Sequence, residues 1–522
     1  MNVSITEKTA ETHTVPQIRR VGWEALLVVL LAGLGLWNLA GPGMWWDEGW
    51  TLSVARTWAE RGFYGRLLDG QLAPPGLEAA ITVTGPVALS FRLFGIGVWQ
   101  GRLVGVAALA FVLGLMYILT HRLYNRRIAI GTVAVLFLTP MHPQLHPLLM
   151  ARQVLAETPM FVYLLLGYLF LLFALERHRG WVVLSALCWG IGIATKVQAL
   201  PFWAVSLLLP LGVALLQRQW RVVGVLAAGA VGAFGIAQLV ALLKSLLLAG
   251  HTFAPAPLVG LYDVTAVVLT PFNRLVALRM ILLLALPTVF ALLYAVWRVW
   301  RARFTEYSAD PAGAVLRLAL LGLVGSWLLW YALLSVGVPR YLYPATFFGS
   351  IFVAAMLHDL TDGFQLGATL GRAGAVLRGR FSWRALGIWC MLLALPLMIL
   401  ITGFTLNRYY FNNTNTSAQQ TVAWLETTAL PNARIETYES ELHFLLNHPY
   451  HYPPDQLHID LNHRSLMHEQ VTIDYDPLAA DPDYLIVGQF ARENQLYAPV
   501  IAAGAFRSVQ QFGDYTIYAR VR

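Results

Sequence analysis

The chain has 522 residues, of which 57% are hydrophobic and only 12% charged. That is more apolar surface than a soluble core of this length needs, so most of the chain belongs in lipid. The net charge of +8 does not imply nucleic acid, because the basic residues sit in short clusters between apolar runs, as loops on the positive side of a membrane do.

In chain order, residues 1–20 are polar and end in Arg19-Arg20. They predict a cytoplasmic N-terminal segment. The apolar run that follows lacks a small-residue cleavage site and reads as a retained span rather than a signal peptide. A helix needs about 20 apolar residues to cross the hydrocarbon core. Eleven candidates begin near Ala25, Leu103, Ile128, Thr158, Trp181, Ala199, Val222, Leu275, Leu318, Tyr343 and Leu386, the third of them short. The stretch from Gly76 to Gly95 is interrupted by Glu78, Thr82, Thr84, Pro86 and Arg92 and suits an interfacial helix. Cys188 and Cys390 lie inside apolar runs, too few for a disulfide framework or a zinc ribbon.

Charge placement agrees with eleven crossings. They bring Arg19/Arg20, Arg122/Arg126/Arg127, Arg177/Arg179, Arg218/Arg221, Arg298/Arg301/Arg303 and Arg372/Arg378/Arg380/Arg384 to one side, which predicts the cytoplasm. Counting residues 76–95 as a crossing would separate the first cluster from the rest. The expected fold is therefore an all-α polytopic membrane protein of about eleven transmembrane helices plus interfacial loop helices. Residues 21–406 form its membrane domain, including an extracytoplasmic loop at 41–102. Residues 407–522 form a small extracytoplasmic α/β domain, with a helix through Ala418 to Leu425, an alternating segment near Ala433 to Tyr438, and strands at Tyr484 to Val487 and Tyr515 to Val521. The chain is expected in the plasma or inner membrane, N-terminus in and C-terminus out.

Chemistry is expected on the less basic side. Asp47 and Glu48 follow the first span among tryptophans in Met44-Trp45-Trp46-Asp47-Glu48-Gly49. A carboxylate half withdrawn from water can take a proton from a hydroxyl; alternatively the acids face water and the tryptophans belong to the aromatic belt. Arg152 and Glu157 open the fourth span, where Glu157 also reads as a helix-terminal charge. Lys196 ends the fifth span, either snorkelling or pairing with a phosphate. Arg340 and Tyr341, between spans nine and ten, suit phosphate contact or interfacial anchoring. His142 and His146 lack a zinc spacing, and His443, His448 and His451 in the tail read as surface residues.

Asp47-Glu48 after the first span, Ala73-Pro74-Pro75-Gly76, Phe91-Arg92-Leu93-Phe94-Gly95 with Arg102-Leu103, Ala151-Arg152 through Glu157, Lys196, and Arg340-Tyr341 occur in an order that resembles the lipid-dependent GT-C glycosyltransferases. The likeness is to bacterial relatives of the dolichyl-phosphate-mannose protein mannosyltransferases and of the aminoarabinose transferase acting on lipid A, and it covers roughly residues 21–360. It implies inverting transfer of a sugar from a polyprenyl-phosphate donor to a lipid, glycan or protein acceptor. Asp47 would be the base, Glu48 would assist it or bind an ion, and Glu157 would orient acceptor or metal. Lys196, Arg152 and Arg340 would stabilise the departing phosphate, with Tyr341 beside them. A divalent metal is a possible cofactor of such enzymes, and no ligand set for one stands out.

Two other readings compete. A transporter or flippase for lipid-linked sugars would show repeated halves with interrupted helices near mid-membrane, whereas here the ionisable groups collect at one face and no repeat is visible. A membrane-anchored scaffold leaves Lys196 and the acidic pair without a purpose.

Overall fold

The computed structural model describes residues 23–41, 43–74, 76, 79–248, 267–301, 310–377 and 383–522. The expectations for residues 1–20, Glu78, Arg303, Arg378 and Arg380 lie outside the described residues.

All eleven predicted spans fall on helices. In chain order the membrane part comprises α1 (Trp23–Leu34), α2 (Trp46–Arg61), α3 (Ile81–Phe94), α4 (Val98–Leu123), α5 (Arg126–Leu138), α6 (Pro147–Arg152), α7 (Glu157–Glu176), α8 (Trp181–Thr195), α9 (Ala199–Leu216) and α10 (Trp220–Leu247). It continues with α11 (Pro271–Arg301), α12 (Pro311–Leu334), α13 (Tyr343–Leu360, entered through a 3-10 turn at Pro339–Leu342), α14 (Leu366–Leu377) and α15 (Trp383–Leu406). Among the described residues, 8 helices are long and apolar enough to cross a membrane: α4, α7, α9, α10, α11, α12, α13 with its leading turn, and α15 with the turn that follows it. The helices at the first, third and fifth predicted spans, α1, α5 and α8, have 12, 13 and 15 residues. α5 ends at Leu138 with Thr139 as its C-cap, and Pro140 beyond it has no N–H with which to continue the helical ladder. α3 has 14 residues, about 21 Å at the helical rise against the roughly 30 Å of hydrocarbon. It supplies the helix expected near Gly76 to Gly95.

α4, α7, α8, α9, α12 and α13 share one core built on Leu109, Met116, Phe161, Tyr168, Trp189, Trp203, Trp327 and Phe347. α8 approaches α7 closely because Gly167 has no side chain where the Trp189 indole lies, and Ser185 Oγ donates to the Gly167 carbonyl at 2.8 Å. Phe111, Val231, Trp300 and Leu400 point outward from the bundle, as lipid-facing side chains do. Three of the arginines in the basic clusters are held at helix ends: Arg122 pairs with Glu176 at 2.7 Å, Arg298 with Asp359 at 2.6 Å, and Arg127 donates to the Gly363 carbonyl at 3.4 Å.

Beyond α15, a five-stranded sheet has the order β4-β3-β5-β7-β6. A short hairpin, β1 (Leu67–Leu68) with β2 (Gln71–Leu72), precedes it in the chain and rests against it, with the Asp69 N–H donating to the Tyr450 carbonyl at 2.8 Å and Leu67 and Leu68 packed on the core around Ile435 and Tyr450. The sheet strands are β3 (Ile435–Thr437), β4 (Tyr450–His451), β5 (Tyr484–Val487), β6 (Phe506–Phe512) and β7 (Tyr515–Arg520). β3 runs parallel to β4 and β5, while β7 is antiparallel to β5 and β6. α16 (Ser417–Thr428), α17 (Ser440–Leu445), α18 (Asp455–Leu466), α19 (Gln489–Glu493) and α20 (Ala498–Ala502) accompany it.

The expected tail helix is α16, and the two expected strands are β5 and β7. β6 was not expected: it is an edge strand of polar sequence, and the hairpin turn at Gly513-Asp514 is the signal that marks it. The sheet buries Leu425, Ile435, Leu442, Ile486 and Ile517 on one side. On the other, Leu457, Leu461 and Leu485 enclose Trp46 and Trp50 of α2. α2 is thus shared between the bundle and the sheet layer. Gly49 makes this contact possible, since a Cβ there would sit 2.2 Å from the Glu441 backbone of α17.

Candidate active site

α2 begins at Trp45, whose extended backbone ends the preceding strand of chain, and Glu48 in the first turn reaches back to accept the Trp45 N–H at 3.3 Å. The helix ends at Gly62, which takes the left-handed φ of 77° that a side chain resists. This start fixes Asp47 and Glu48 on different faces, and their surroundings diverge.

Asp47 meets the cations. The guanidinium of Arg340, on the turn before α13, donates to the Asp47 carboxylate, and its Nε lies 3.3 Å from Glu157 Oε1. Lys196, at the end of α8, donates from Nζ to the same Glu157 oxygen at 2.7 Å. Thr195 Oγ1 donates to Thr82 Oγ1 at 2.8 Å and so ties the end of α8 to α3. Four sequence-predicted residues therefore form one alternating chain, Asp47, Arg340, Glu157, Lys196. Of its two carboxylates, Asp47 is 37% exposed and Glu157 3%. Asp47 is the one that an incoming molecule can reach.

Two cavities flank these cations. One, of about 260 Å³, is lined by Asp47, Glu157, Lys196, Arg340, Trp50 and His458, among others. The other is a narrow groove walled by Phe202, Trp327, Trp330, Tyr341 and Pro344, and Glu157, Lys196 and Arg340 line it too. Tyr341 is held at this wall by Trp327 Nε1, which donates to its carbonyl at 3.0 Å.

Two expected site residues go elsewhere. Glu48 is fully buried and locked to Arg102, which donates to it from Nε at 2.6 Å and from Nη2 at 2.8 Å. Its oxygens are occupied by the guanidinium and the Trp45 N–H, so the reading of Glu48 as a base's assistant or ion ligand is corrected. It fixes the start of α2. Arg152 is also buried, with its Cζ 3.8 Å from the Tyr410 ring centre and Nε donating to the Gly35 carbonyl at 3.4 Å. The structure does not bring it to Lys196 and Arg340.

The histidines differ as well. His142 and His146 each accept a backbone N–H at Nδ1, from Gln144 and Leu148, and so serve as caps of the next turns. His443 and His448 are buried rather than on the surface. His443 stacks on Tyr450 with ring centres 5.0 Å apart, and desolvation pushes its pKa down to about 3. His458 was missed. It reaches the cavity from α18, stacks on Trp46 at 4.6 Å, and bonds the Tyr438 hydroxyl at 2.7 Å and the Asn462 amide at 3.0 Å. Burial lowers its pKa, opposed by the nearby Asp47 charge. Nothing local in the sequence marks it, because its proximity to Asp47 arises only when the sheet layer docks on α2. Among the described residues no group of three or more His, Cys, Asp or Glu is placed to hold a metal ion.

Residues 86–240 match the family model described as dolichyl-phosphate-mannose-protein mannosyltransferase. No curated protein sequence matches the chain. Among solved structures it is similar to ArnT from Cupriavidus metallidurans bound to undecaprenyl phosphate, with a TM-score of 0.66 and 16% identity, covering 96% of this chain and 98% of that one. It is also similar to the archaeal oligosaccharyltransferase AglB from Archaeoglobus fulgidus in complex with an inhibitory peptide and a dolichol-phosphate, with a TM-score of 0.53 and 13% identity, covering 96% of this chain and 74% of that one. The chain has the GT-C fold and resembles the dolichyl-phosphate-mannose-protein mannosyltransferases and ArnT.

Proposed function

We propose that this chain is a membrane glycosyltransferase that moves a sugar from a polyprenyl-phosphate donor to an acceptor on the extracytoplasmic side, by inverting displacement. The observation that carries this reading is that Lys196, Arg340 and Glu157 line both the aromatic groove and the more open cavity containing Asp47. Such an arrangement suits an amphiphile whose phosphate meets the cations and whose sugar enters the cavity with Asp47, its isoprenoid running along the aromatic wall of Phe202, Trp327 and Trp330. The lipid phosphates named with ArnT and AglB support the same class of donor.

In the proposed step the acceptor hydroxyl oxygen attacks the anomeric carbon and its proton passes to the Asp47 carboxylate. The bond from that carbon to the phosphate oxygen breaks, and its electron pair leaves on the phosphate, which Lys196 and Arg340 stabilise. Cations preorganised in a poorly hydrated site are most effective where charge develops. Arg340 is paired with Asp47 before donor binds, so its transfer to the phosphate would release the carboxylate as a base. Glu157 holds both cations in place, and Trp46, Trp50 and His458 wall the sugar. Residues 407–522 are proposed as the extracytoplasmic domain that closes over the site, with the N-terminus cytoplasmic.

The test is reconstitution of the full chain into vesicles with a panel of polyprenyl-phosphate sugars, comparing the parent with Asp47→Asn. Transfer by the parent and not by the variant is expected. Scrambling of the lipid-linked sugar across the bilayer without transfer would overturn the reading in favour of a flippase.

A further inference from the structure

A further cavity, of about 400 Å³, opens beside the Asp47–Arg340 pair and is not used by the donor as described above. Its chemistry comes from Trp45, His142, Gln144, Gln153, Tyr409 and Asn413, and among its described lining residues there is no Asp, Glu, Lys or Arg. The cavity shares its wall with the reaction chamber. Gly43, Met44 and Trp45 face it while Trp46 and Asp47 face the chamber, and Pro339 faces it while Arg340 faces the chamber. The ion pair between Asp47 and Arg340 ties these two segments together. We propose that this cavity binds the acceptor, and that the acceptor is an uncharged saccharide presenting a hydroxyl rather than a phosphate-bearing group.

The lining supports that class. Three amides give paired donors and acceptors of the kind that hydroxyls satisfy, and Trp45 and Tyr409 supply flat apolar faces for the C–H surface of a sugar ring. His142 is a neutral donor here: the Gln144 N–H occupies Nδ1, which leaves the proton on Nε2, and burial lowers its pKa. A phosphate in this cavity would lose hydration with no cation among these residues to replace it, which is costly. In the reaction chamber that demand is met by Lys196 and Arg340. Cations are thus concentrated on the donor side and absent from the described lining of the other. When Arg340 swings from Asp47 to the donor phosphate, the tie between the two segments is released and the acceptor hydroxyl gains a path to the freed carboxylate.

This proposal rests on the transferase reading, and the experiment separates the two. Photoreactive di- and trisaccharides of glucose, mannose and galactose are crosslinked to the full chain in nanodiscs, and labelled peptides are mapped by mass spectrometry. Labelling of residues 142–153 and 409–413 is expected, displaced by the parent saccharide but not by inorganic phosphate or glucose 6-phosphate. The double substitution Gln153→Leu with Asn413→Leu, removing two hydrogen-bonding amides, is expected to weaken labelling by about tenfold. Absence of labelling from these peptides, displacement by phosphate, or full labelling of the double variant would each overturn the proposal. Lys196→Ala is expected to keep saccharide labelling while losing undecaprenyl-phosphate binding, measured on the same sample. Loss of labelling in that variant overturns the separation of the two cavities. Retention of undecaprenyl-phosphate binding in it overturns the donor reading and leaves the saccharide result standing.

Discussion

Arg340 donates to the carboxylate of Asp47, a residue 293 positions earlier in the chain, and the same guanidinium reaches Glu157. One arginine therefore joins the loop after the first span, the start of α7 and the entry to α13. Replacing Asp47 by Asn keeps its shape and removes its ability to take a proton. Transfer should fall by roughly 10²–10⁴-fold, the usual contribution of a general base. The thermal midpoint and undecaprenyl-phosphate affinity, measured on the same preparation, should stay close to the parent's.

Lys196 and Glu157 should behave differently from Asp47. Lys196→Ala removes a cation aimed at the donor phosphate, so undecaprenyl-phosphate binding is expected to be lost and transfer to fall by about 10²–10³-fold, by comparison with other preorganised charge stabilisers. Lys196→Arg keeps the charge and should recover part of it. Glu157→Gln leaves both cations without their shared counter-charge, and should impair carrier binding as well as turnover. Binding titrations with undecaprenyl phosphate beside single-turnover assays separate these effects.

Glu48 and Arg102 form a buried pair, with side-chain exposures of 0% and 2%. Breaking such a pair from one side leaves a charge uncompensated, at a cost of about 3–5 kcal/mol. Arg102→Met should therefore lower the unfolding midpoint and the yield of folded protein far more than Lys196→Ala does. A normal midpoint in that variant, with activity lost, would return Glu48 to the chemical site.

Gly49→Ala tests the docking of α2 on the sheet layer. The added methyl would meet the Glu441 backbone at 2.2 Å, and overpacking of this kind costs about 1–3 kcal/mol. Faster proteolysis of residues 407–522 is expected, together with reduced transfer, because the same helix carries Asp47.

The sheet layer should lose stability as pH rises from 6.5 to 8. Desolvation, with Glu441 reinforcing it, pushes the Glu439 carboxyl up to about 8, and desolvation pushes Glu441 up to about 7. From the ordinary carboxylate range up to about 7 for Glu441 and about 8 for Glu439 the unfolded chain has released these protons while the folded chain retains them, so folding loses free energy as pH rises and the loss levels off towards pH 8. His451, raised in the fold when its bond to Glu436 is counted, acts in the same direction. His443, near 3 in the fold, acts oppositely but only below about pH 6.5, the ordinary imidazole value. Glu439→Gln and Glu441→Gln should flatten the fall in midpoint between pH 6.5 and 8. An unaltered slope would assign it to other groups.

Much of this protein is written locally in its sequence. Long apolar runs fixed α4, α7, α9, α10, α11, α12, α13 and α15, because in lipid a backbone must satisfy its own hydrogen bonds and a helix is the local way to do so. Asp47, Glu157, Lys196 and Arg340 were legible too, since an ionisable group at the end of an apolar run stands out against its neighbours. The tertiary structure decided what each of them meets. Asp47 and Glu48 are adjacent in sequence, yet the 100° step of a helix sends one to Arg340 and the other to Arg102. Arg152 lies in the same motif as Glu157 but is drawn to the Tyr410 ring. His458 joined the site only because the sheet layer packs on Trp46. Pairings across hundreds of residues depend on which helix faces meet, and local composition does not encode that.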